Sequence, residues 1–455
     1  MESAPKTLHI VLNGVTEDSR VLKCAWSLGN AGWDVLVIGA TPFGHSDELT
    51  IGYAKIERLP LKLVITKEKI PKVFLVFIKR EYTQWLIAGI LRRSRRYLRK
   101  LRAYRRKLFE KFRVKSEVVV PNLHRSVKVI TPIALEFSPD VIHAHDYTAL
   151  PIAGAIAELL RVKGRKVQLV YDAHEYVPGV AHLTKPMAAL YTKIERKYSK
   201  KTGAVLSVSE PMNDLLMEQL QIKVRPTIVA NDPLVDGQEL SLRNLRNDIG
   251  IDQSVPLMVY SGAVAPQRGI QTALEALRQL AGVHLVLIAN PKNKSVMDLV
   301  QSAPDLSDRF HVVPYVPNSE LVSYLATADI GLIPILHRLN HEISLITKFG
   351  EYMQAGLPIL VSDVKTMSAE VIKLGNGEVF IAEDIDDFVR AAKLILADSE
   401  KYKAAYTDEV LMERSWERQA EVLLSVYNRI ARADPIARPH LPFVVSEPKP
   451  LQEII

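Results

Sequence analysis

The 455-residue sequence predicts an α/β protein of two doubly wound domains that face each other across a cleft. Three observations support this fold class. Short apolar strands alternate with helical patterns along nearly the whole chain, the alternation restarts after residues 230–233, and the chain is too long for one ordinary core. Continuous apolar strands separated by helices indicate parallel sheets covered on both faces, and ligands bind such sheets beyond the carboxyl ends of the strands.

The first predicted helix runs from residue 20 to about residue 31 and follows the first strand. Asp18 or Ser19 can cap its N-terminus, and Gly32 ends it. The predicted strands of the first half lie at residues 8–12, 34–38, 140–144, 167–171 and 204–208. Those of the second half lie at residues 256–260, 283–288, 310–313, 329–334 and 358–361.

These elements predict a first domain over residues 1–233 and a second over residues 234–412. A helix over residues 413–432 has apolar residues at core-like spacing, and we expect it to return to the first domain. The prolines that follow Asp434 predict an extended or disordered tail over residues 433–455, which we assign as disordered.

The positive charge is concentrated in one arm. Residues 92–115 contain thirteen basic residues and one acidic residue, a net charge of +12, so the rest of the chain carries −4 of the total of +8. Apolar residues directly upstream make residues 72–115 a candidate interfacial helix, with residues 74–115 on an anionic membrane surface. A solvated helix packed on the first sheet and a nucleic-acid-binding arm are the alternatives.

Cysteine content and hydropathy predict the compartment. Cys24 is the only cysteine, which excludes an intrachain disulfide and a zinc site built from several thiolates. The first residues do not resemble a secretory signal, and no apolar run is long enough to span a bilayer. We therefore expect a cytoplasmic protein that is peripheral on the cytoplasmic face of a membrane.

The most informative stretch is residues 344–358, which follows a strand and begins a helix. The amides of Ile346, Thr347 and Lys348 would be unpaired at this helix N-terminus, which suits a diphosphate. The Lys348 side chain adds a positive charge, and Glu351, one turn into the helix, could accept both hydroxyls of a ribose. An ordinary capped helix with solvated side chains explains the stretch equally well.

Residues 260–270 have a similar layout, with Gly262 at the end of a strand and Arg268 before a helix. Glycine allows a ligand to approach the backbone closely, and the arginine fork can bind two phosphate oxygens. Many turns between a strand and a helix share this pattern.

Polar residues also follow two strands of the first half. We expect His143 and His145 to point to opposite sides of their strand, and hence not to share a metal ion, so no metal site is predicted. His145, at the strand tip, is the better active-site candidate. For His174 and Glu175, a loop hydrogen-bond pair and a contact with an acceptor both stay open.

Taken together, these motifs resemble glycosyltransferase family 4, whose members have the GT-B fold. The resemblance covers most of the chain and is carried by residues 18–35, 140–146, 171–175, 260–269, 315–334 and 344–363. It implies transfer of a sugar from a nucleotide-sugar donor, with retention of anomeric configuration and without a metal or other cofactor.

The resemblance also implies roles for single residues. His145 matches a histidine near the transferred sugar, and Arg268 matches the basic residue that binds the donor phosphates, with Lys348 beside it. Glu351 matches the second glutamate of an E-x7-E pattern, which holds the ribose, and Tyr315 and Val316 match the residues that hold the nucleotide base. The candidate acceptor-side residues are Asn13, Gly14, Asp146, His174 and Glu175.

Two positions depart from the family pattern. The first glutamate of E-x7-E, which usually touches the donor sugar, is Ile343 here, and Glu342 is one position off. The arginine that often follows the glycine of the second-domain loop is Ala263. These departures leave the identity of the sugar open and keep a catalytically inactive scaffold among the alternatives.

The function predicted from these observations is a retaining hexosyltransferase of polysaccharide biosynthesis. Its donor is a nucleotide sugar, its acceptor is a glycan or a lipid-linked molecule at a membrane surface, and no nucleic acid is expected as a partner. A nucleotide-sugar epimerase on the same fold is the enzymatic alternative, although it would leave the basic arm unexplained. A non-catalytic protein that binds a partner through this arm is the other alternative.

Overall fold

The computed structural model describes residues 4–41, 45–61, 123–235 and 243–451. The basic segment 72–115 lies outside the described residues. The first sheet and its helices comprise β1 (Lys6–Ile10), α1 (Ser19–Asn30), β2 (Asp34–Ala40), β3 (Asp47–Ile51), β4 (Ala54–Leu59), α2 (Leu123–Phe137), β5 (Val141–His145), α3 (Asp146–Val162), β6 (Gln168–Asp172), α4 (Lys185–Ser199), β7 (Ala204–Ser207), α5 (Glu210–Leu220) and β8 (Thr227–Ile228).

The second sheet and its helices follow along the chain. They comprise α6 (Leu245–Ile249), β9 (Leu257–Ser261), α7 (Ile270–Gln279), β10 (His284–Ile288), α8 (Lys294–Ser302), β11 (Phe310–Val313), α9 (Asn318–Leu325), β12 (Ile330–Ile333), α10 (Leu339–Ile343), α11 (Thr347–Gln354), β13 (Ile359–Ser362), α12 (Lys365–Leu374), β14 (Gly377–Phe380) and α13 (Ile385–Ala397). The chain then forms α14 (Ser399–Lys403), α15 (Asp408–Glu413), α16 (Trp416–Ala431) and β15 (Lys449–Pro450).

Both sheets are largely parallel, as their apolar strands predict. The first has the order β15-β3-β4-β2-β1-β5-β6-β7-β8, and the second has the order β11-β10-β9-β12-β13-β14. Central positions such as Leu8, which pairs with Leu36 and Ile142, are buried because helices cover both faces. The predicted fold of two doubly wound α/β units is confirmed, whereas the domain boundaries at residues 233 and 412 stay predictions.

The first sheet has an antiparallel edge that the sequence did not indicate. Strand β3 pairs antiparallel with β4, and the short tail strand β15 pairs antiparallel with β3. The tail also donates from Arg438 to Asp34 at 2.6 Å, and the carbonyl of Leu441 accepts from the Trp26 indole at 2.8 Å. Disorder, which we predict for residues 433–455, is therefore wrong for residues 433–451, because specific partners on the first sheet fix the extended chain.

Helix α16 returns to the first domain, as expected. The Trp416 indole donates to the Ser27 hydroxyl of α1 at 2.8 Å. Tyr427 is fully buried, and its hydroxyl lies 2.7 Å from His143 Nδ1 and 3.2 Å from His9 Nε2. Among the described residues, no helix is long and apolar enough to cross a membrane.

The Tyr427 hydroxyl gives a test of this return contact. Replacing Tyr427 by Phe leaves the two histidine nitrogens buried without their partner, which costs about 1–3 kcal/mol. We expect the melting temperature in a thermal unfolding scan to fall by roughly 2–4 °C for each kcal/mol lost. Tyr53→Phe is the control, because the exposed Tyr53 hydroxyl donates to the Pro439 carbonyl and can bond water instead. Equal decreases in melting temperature in the two variants would contradict a stabilising role of the Tyr427 hydroxyl in this contact.

Candidate active site

A cleft at the carboxyl ends of the strands is lined by both halves of the chain. Of the predicted site residues, the structure brings together His174, Glu175, Gly262, Arg268, Tyr315, Ile346, Thr347, Lys348 and Glu351. The first two follow β6, and the others belong to the loops and helices that follow β9, β11 and β12. Such a position is where doubly wound sheets bind ligands.

The start of α11 forms one end of this cleft. Ile346 is the N-cap residue, and no side chain caps the helix, so the first amides are free for a ligand. Thr347 Oγ1 accepts a hydrogen bond from Asn231 Nδ2 at 3.1 Å, which fixes the helix start beside the chain segment that leaves the first sheet. Free amides and the helix dipole together favour an anion.

Two cations lie beside these amides. Lys348 is only 9% exposed, with its Nζ 4.0 Å from the centre of the Tyr260 ring. Burial, and then the positive charge of Arg268, lower the pKa of Lys348 to about 7. Gly262, at φ +123°, makes room, because a Cβ atom there would lie 3.2 Å from the lysine Nζ.

Arg268 belongs to a single 3₁₀ turn, Pro266–Arg268, which Gly269 ends in the left-handed conformation with φ +67°. A Cβ atom on Gly269 would lie 1.7 Å from the Pro334 carbonyl oxygen. Only glycine therefore lets this turn lie against the end of β12, which brings the guanidinium next to Lys348.

Glu351 lies one turn into α11 and lines the same cleft. Burial raises its pKa, while the charges of Lys348 and then Lys23 oppose the rise. A carboxylate in this position can accept hydrogen bonds from two neighbouring hydroxyls.

The first-domain wall is organised by an ion pair. Arg20 donates to both oxygens of Asp172, at 2.7 and 2.8 Å, and to the Val229 carbonyl at 2.5 Å. Asp172 Oδ2 also lies 3.2 Å from His174 Nε2, and His174 lines the cleft. Burial alone would lower the pKa of His174, but the carboxylate of Asp172 outweighs it, so the pKa is raised.

The structure does not bring His145 into the cleft. His145 is fully buried, its Nε2 lies 3.0 Å from His9 Nδ1, and its ring meets that of His174 edge-on at 5.6 Å. Burial, and then His143, lower the pKa of His145 to about 3. His174, which the sequence suggests only as an acceptor-side residue, is partly buried and is the histidine of this wall that lines the cleft.

The expectation that His143 and His145 point to opposite sides is wrong. Alternate residues of a strand share a face, and the two rings stack with centres 4.0 Å apart. Within the part of the chain that the structure describes, two triads have ligand atoms close enough to hold a metal ion. They are His9 with both histidines, and His145 with Asp172 and His174. The guanidinium of Arg20 on both Asp172 oxygens disfavours a second cation in the latter triad.

The remaining predicted residues lie outside the cleft lining. Val316 is buried. Asn13 donates to Asp18 at 2.7 Å, in the loop that contains Gly14. Asp146 starts α3 at φ +67°, and its carboxylate accepts from the Tyr147 amide at 2.7 Å. Of these, Asn13 is hydrogen-bonded to a lining residue, Asp18.

Sequence reasoning missed several lining residues. They are Asp18, Arg20, Asn231, Arg338, Asn340 and His341. The signal for the last three was present, because residues 337–342 place polar side chains directly after the carboxyl end of β12. Asp18 and Arg20 belong to a motif used for the resemblance, but were interpreted only as the start of α1.

Comparison with known proteins adds the family. Residues 103–231 match the family described as Glycosyltransferase Family 4, and residues 242–408 match the one described as Glycosyl transferases group 1. The chain is a family 4-type glycosyltransferase. Over 50% of its length it is 21% identical to a 2-deoxystreptamine glucosyltransferase of Streptomyces kanamyceticus, and this match covers 59% of that relative. A glycogen synthase of Mycobacterium tuberculosis is 23% identical over 67% of this chain and 72% of its own.

Solved structures agree on the fold. Sucrose-phosphate synthase from Thermosynechococcus elongatus superposes with a TM-score of 0.66 at 18% identity, over 94% of this chain and 99% of that one. HepE from Anabaena, solved in complex with UDP and glucose, gives a TM-score of 0.61 at 12% identity, over 93% of this chain and 100% of its own. The glycosyltransferase therefore has the GT-B fold.

The lowered pKa of Lys348, and the effect of Arg268 on it, can be measured without a substrate. After reductive methylation with ¹³C-formaldehyde, we expect one lysine signal of the glycosyltransferase to titrate near pH 7, far below an ordinary lysine at about 10.4. Lys348→Arg should remove this signal. Because Arg268 lowers the pKa of Lys348, Arg268→Gln should move the midpoint upwards. If Lys348 of the unaltered protein titrates with the midpoint of an ordinary lysine, it is neither buried nor close to Arg268 as described.

Proposed function

We propose that this glycosyltransferase moves a hexose from a nucleotide-sugar donor to a glycan or lipid-linked acceptor, with retention of configuration and without a metal ion. The observation that carries the proposal is the anion site of the second domain. There, Arg268, Lys348 and the uncapped start of α11 meet one turn from Glu351. HepE, with the same fold, was solved with UDP-glucose, which supports a nucleotide sugar as the donor here.

The charges suggest how the leaving group is stabilised. When the bond between the sugar and the diphosphate breaks, negative charge grows on the diphosphate. Arg268, Lys348 and the start of α11 line the same cleft before any ligand binds, and such preorganised charges are commonly the largest catalytic contribution. Two fixed cations supply what a divalent ion provides at other phosphate sites, so we expect full activity in EDTA.

The first-domain wall supplies the acceptor side of this proposal. Asp18, His174 and Glu175 line the cleft and can bond hydroxyl groups of an acceptor. Retention of anomeric configuration is proposed from the family resemblance alone. NMR of the product anomer would decide between retention and inversion.

Glu351→Gln tests the donor assignment. If the carboxylate holds the ribose, UDP binding measured by calorimetry should weaken by about 1–3 kcal/mol, because a charged hydrogen-bond partner is lost. Glu342→Gln is the matched control, since the Glu342 carboxylate contacts His337 and the Lys365 amide instead of lining the cleft. Equal losses in both variants would contradict the role of Glu351.

A panel of nucleotide sugars, assayed in EDTA, tests the activity itself. Transfer or slow donor hydrolysis is expected for at least one donor. An epimerised donor without transfer would instead favour the epimerase alternative, and binding without any turnover would favour a non-catalytic protein. Strict dependence on a divalent cation would contradict the proposed leaving-group stabilisation.

We also propose that the protein works on the cytoplasmic face of a membrane. This proposal rests on the sequence of residues 74–115 alone. A polybasic segment gains about 1 kcal/mol for each basic residue near an anionic surface, so a few of the thirteen suffice for binding. A lipid-linked acceptor would be presented at the same surface.

Vesicle sedimentation tests this location. The protein should pellet with vesicles that contain phosphatidylserine at low salt, stay in solution with phosphatidylcholine alone, and be released as salt rises. A variant with Arg92, Arg93, Arg95 and Arg96 changed to Glu should lose this binding. If the variant pellets as the parent does, the membrane proposal is wrong.

A further inference from the structure

The cleft wall between β12 and α11 has Ile343 at the position where the family pattern has the first glutamate of E-x7-E. Ile343, at the last position of α10, is only 7% exposed and packs into the core of the first sheet. Its carbonyl accepts a hydrogen bond from the Ser209 hydroxyl at the start of α5. This position is therefore a contact between the two halves of the protein and is not available to a ligand.

The neighbouring carboxylate does not replace it. One oxygen of Glu342 lies 2.5 Å from His337 Nδ1, and the other accepts from the Lys365 amide at 2.9 Å. The side chain is thus held against the start of α12, and Glu342 is absent from the cleft lining. Any recognition of a ligand at this wall must come from other residues.

His341 lines the cleft here with a defined tautomer. Its Nδ1 lies 2.6 Å from the Leu336 carbonyl oxygen, which can only accept, so Nδ1 carries the hydrogen. Burial, together with the charges of Arg268 and Arg338, lowers the pKa of His341, which keeps the ring neutral near pH 7. Its Nε2 therefore has a lone pair and can only accept a hydrogen bond.

Asn340 has the complementary property. Its Oδ1 accepts from the Tyr176 amide at 3.2 Å, which identifies the oxygen and leaves Nδ2 as the group for a ligand. Nδ2 donates to no residue that the structure describes. Gly179 leaves room for the Asn340 side chain, because a Cβ atom at residue 179 would lie 2.7 Å from Asn340 Oδ1. One acceptor and one donor, both uncharged, thus adjoin each other on the wall.

Hydrogen bonds establish where this pair lies along the cleft. The Leu336 amide donates to the Gln267 carbonyl at 3.0 Å, so the loop of His341 adjoins the turn that carries Arg268. Glu351 lies one turn into α11, beyond Lys348 along the helix. With a ribose at Glu351 and a diphosphate at the two cations, the group attached to the diphosphate extends towards Asn340 and His341.

We propose that Asn340 and His341 form the recognition site for the transferred sugar, with Nε2 of His341 accepting from one hydroxyl group and Nδ2 of Asn340 donating to another. An uncharged pair fits the hydroxyl groups of a neutral hexose, whereas Nε2 of His341 has no hydrogen to donate to the carboxylate of a uronic acid. This inference rests on the proposed function, because it assumes that the diphosphate occupies the site of Arg268 and Lys348.

Calorimetry with UDP-glucose and UDP separates recognition of the sugar from recognition of the nucleotide. If the donor panel selects another nucleotide, the corresponding nucleotide sugar and diphosphate are used. We expect His341→Ala to weaken UDP-glucose binding roughly 10-fold and to leave UDP binding unchanged, because one buried hydrogen bond to the sugar is lost. His341→Gln, with a neutral acceptor oxygen, should recover part of the affinity.

The control is His337→Ala, four residues earlier on the same loop and bonded to Glu342 and Asp363. It should leave the affinities for both ligands unchanged. A set of monodeoxy UDP-glucose analogues completes a double-mutant cycle. Removing the paired hydroxyl should weaken binding to the parent protein and have no effect in His341→Ala.

The outcomes keep the two proposals apart. If the unaltered protein binds no nucleotide sugar, the proposed function fails. If both ligands bind but His341→Ala and His337→Ala behave alike, only the sugar-site inference fails. Binding of UDP-glucuronic acid as tightly as UDP-glucose would overturn the preference for a neutral hexose.

Discussion

The buried ion pair between Arg20 and Asp172 is the interaction on which the first domain and its cleft wall depend. Removing two charges from water costs several kcal/mol for each ion, and the attraction offsets this cost only when geometry is good and the remaining donors are bonded. Both conditions hold, because the guanidinium bonds both carboxylate oxygens and also the Val229 carbonyl. One side chain of α1 thereby fixes the end of β6 and the chain segment that follows β8.

The same carboxylate explains why three histidines meet at one strand end. His143, His145 and His174 each have a ring nitrogen within 3.5 Å of Asp172 Oδ2. The first two are fully buried on one face of β5, where Tyr427 of α16 closes the cluster. Only His174 reaches the cleft, so the inner rings support the wall and the outer ring contacts the ligand space.

The sequence predicted what depends on local pattern. Continuous apolar runs located ten of the parallel strands to within one or two residues but did not indicate β4, β8 or β14. Asp18 caps α1 through the Val21 amide as expected. The approach of Gly262, Arg268 and Lys348 also followed from local turns between strand and helix. What failed depends on distant partners. His145 is buried because the rings of His9 and His174 pack on it, and the tail is ordered because β3 offers a free edge.

One further miss has a local origin, and another again depends on a distant partner. The shared face of His143 and His145 follows from strand geometry, and applying that rule correctly would have predicted their contact. The contact that orients the Asn340 side chain could not be predicted, because it depends on the Tyr176 amide and on the space left by Gly179 in the other half of the chain. Residues at a cleft between two units are specified jointly, and a pattern within one segment contains only half of that information.

The chain passes between the two halves twice, and these crossings constrain how the cleft can change. The Trp416 amide donates to the Pro233 carbonyl at 2.7 Å, so the outgoing and returning segments lie together. Gly350 of α11 rests on the first crossing, because a Cβ atom there would lie 2.7 Å from Pro233 Cδ. The end of the cleft at α11 is thus anchored beside the crossings. A rotation of one half of the protein about the two crossings would move the α11 end of the cleft little. The contacts that must break for the cleft to open lie at its opposite end, where Asn340 accepts a hydrogen bond from the Tyr176 amide.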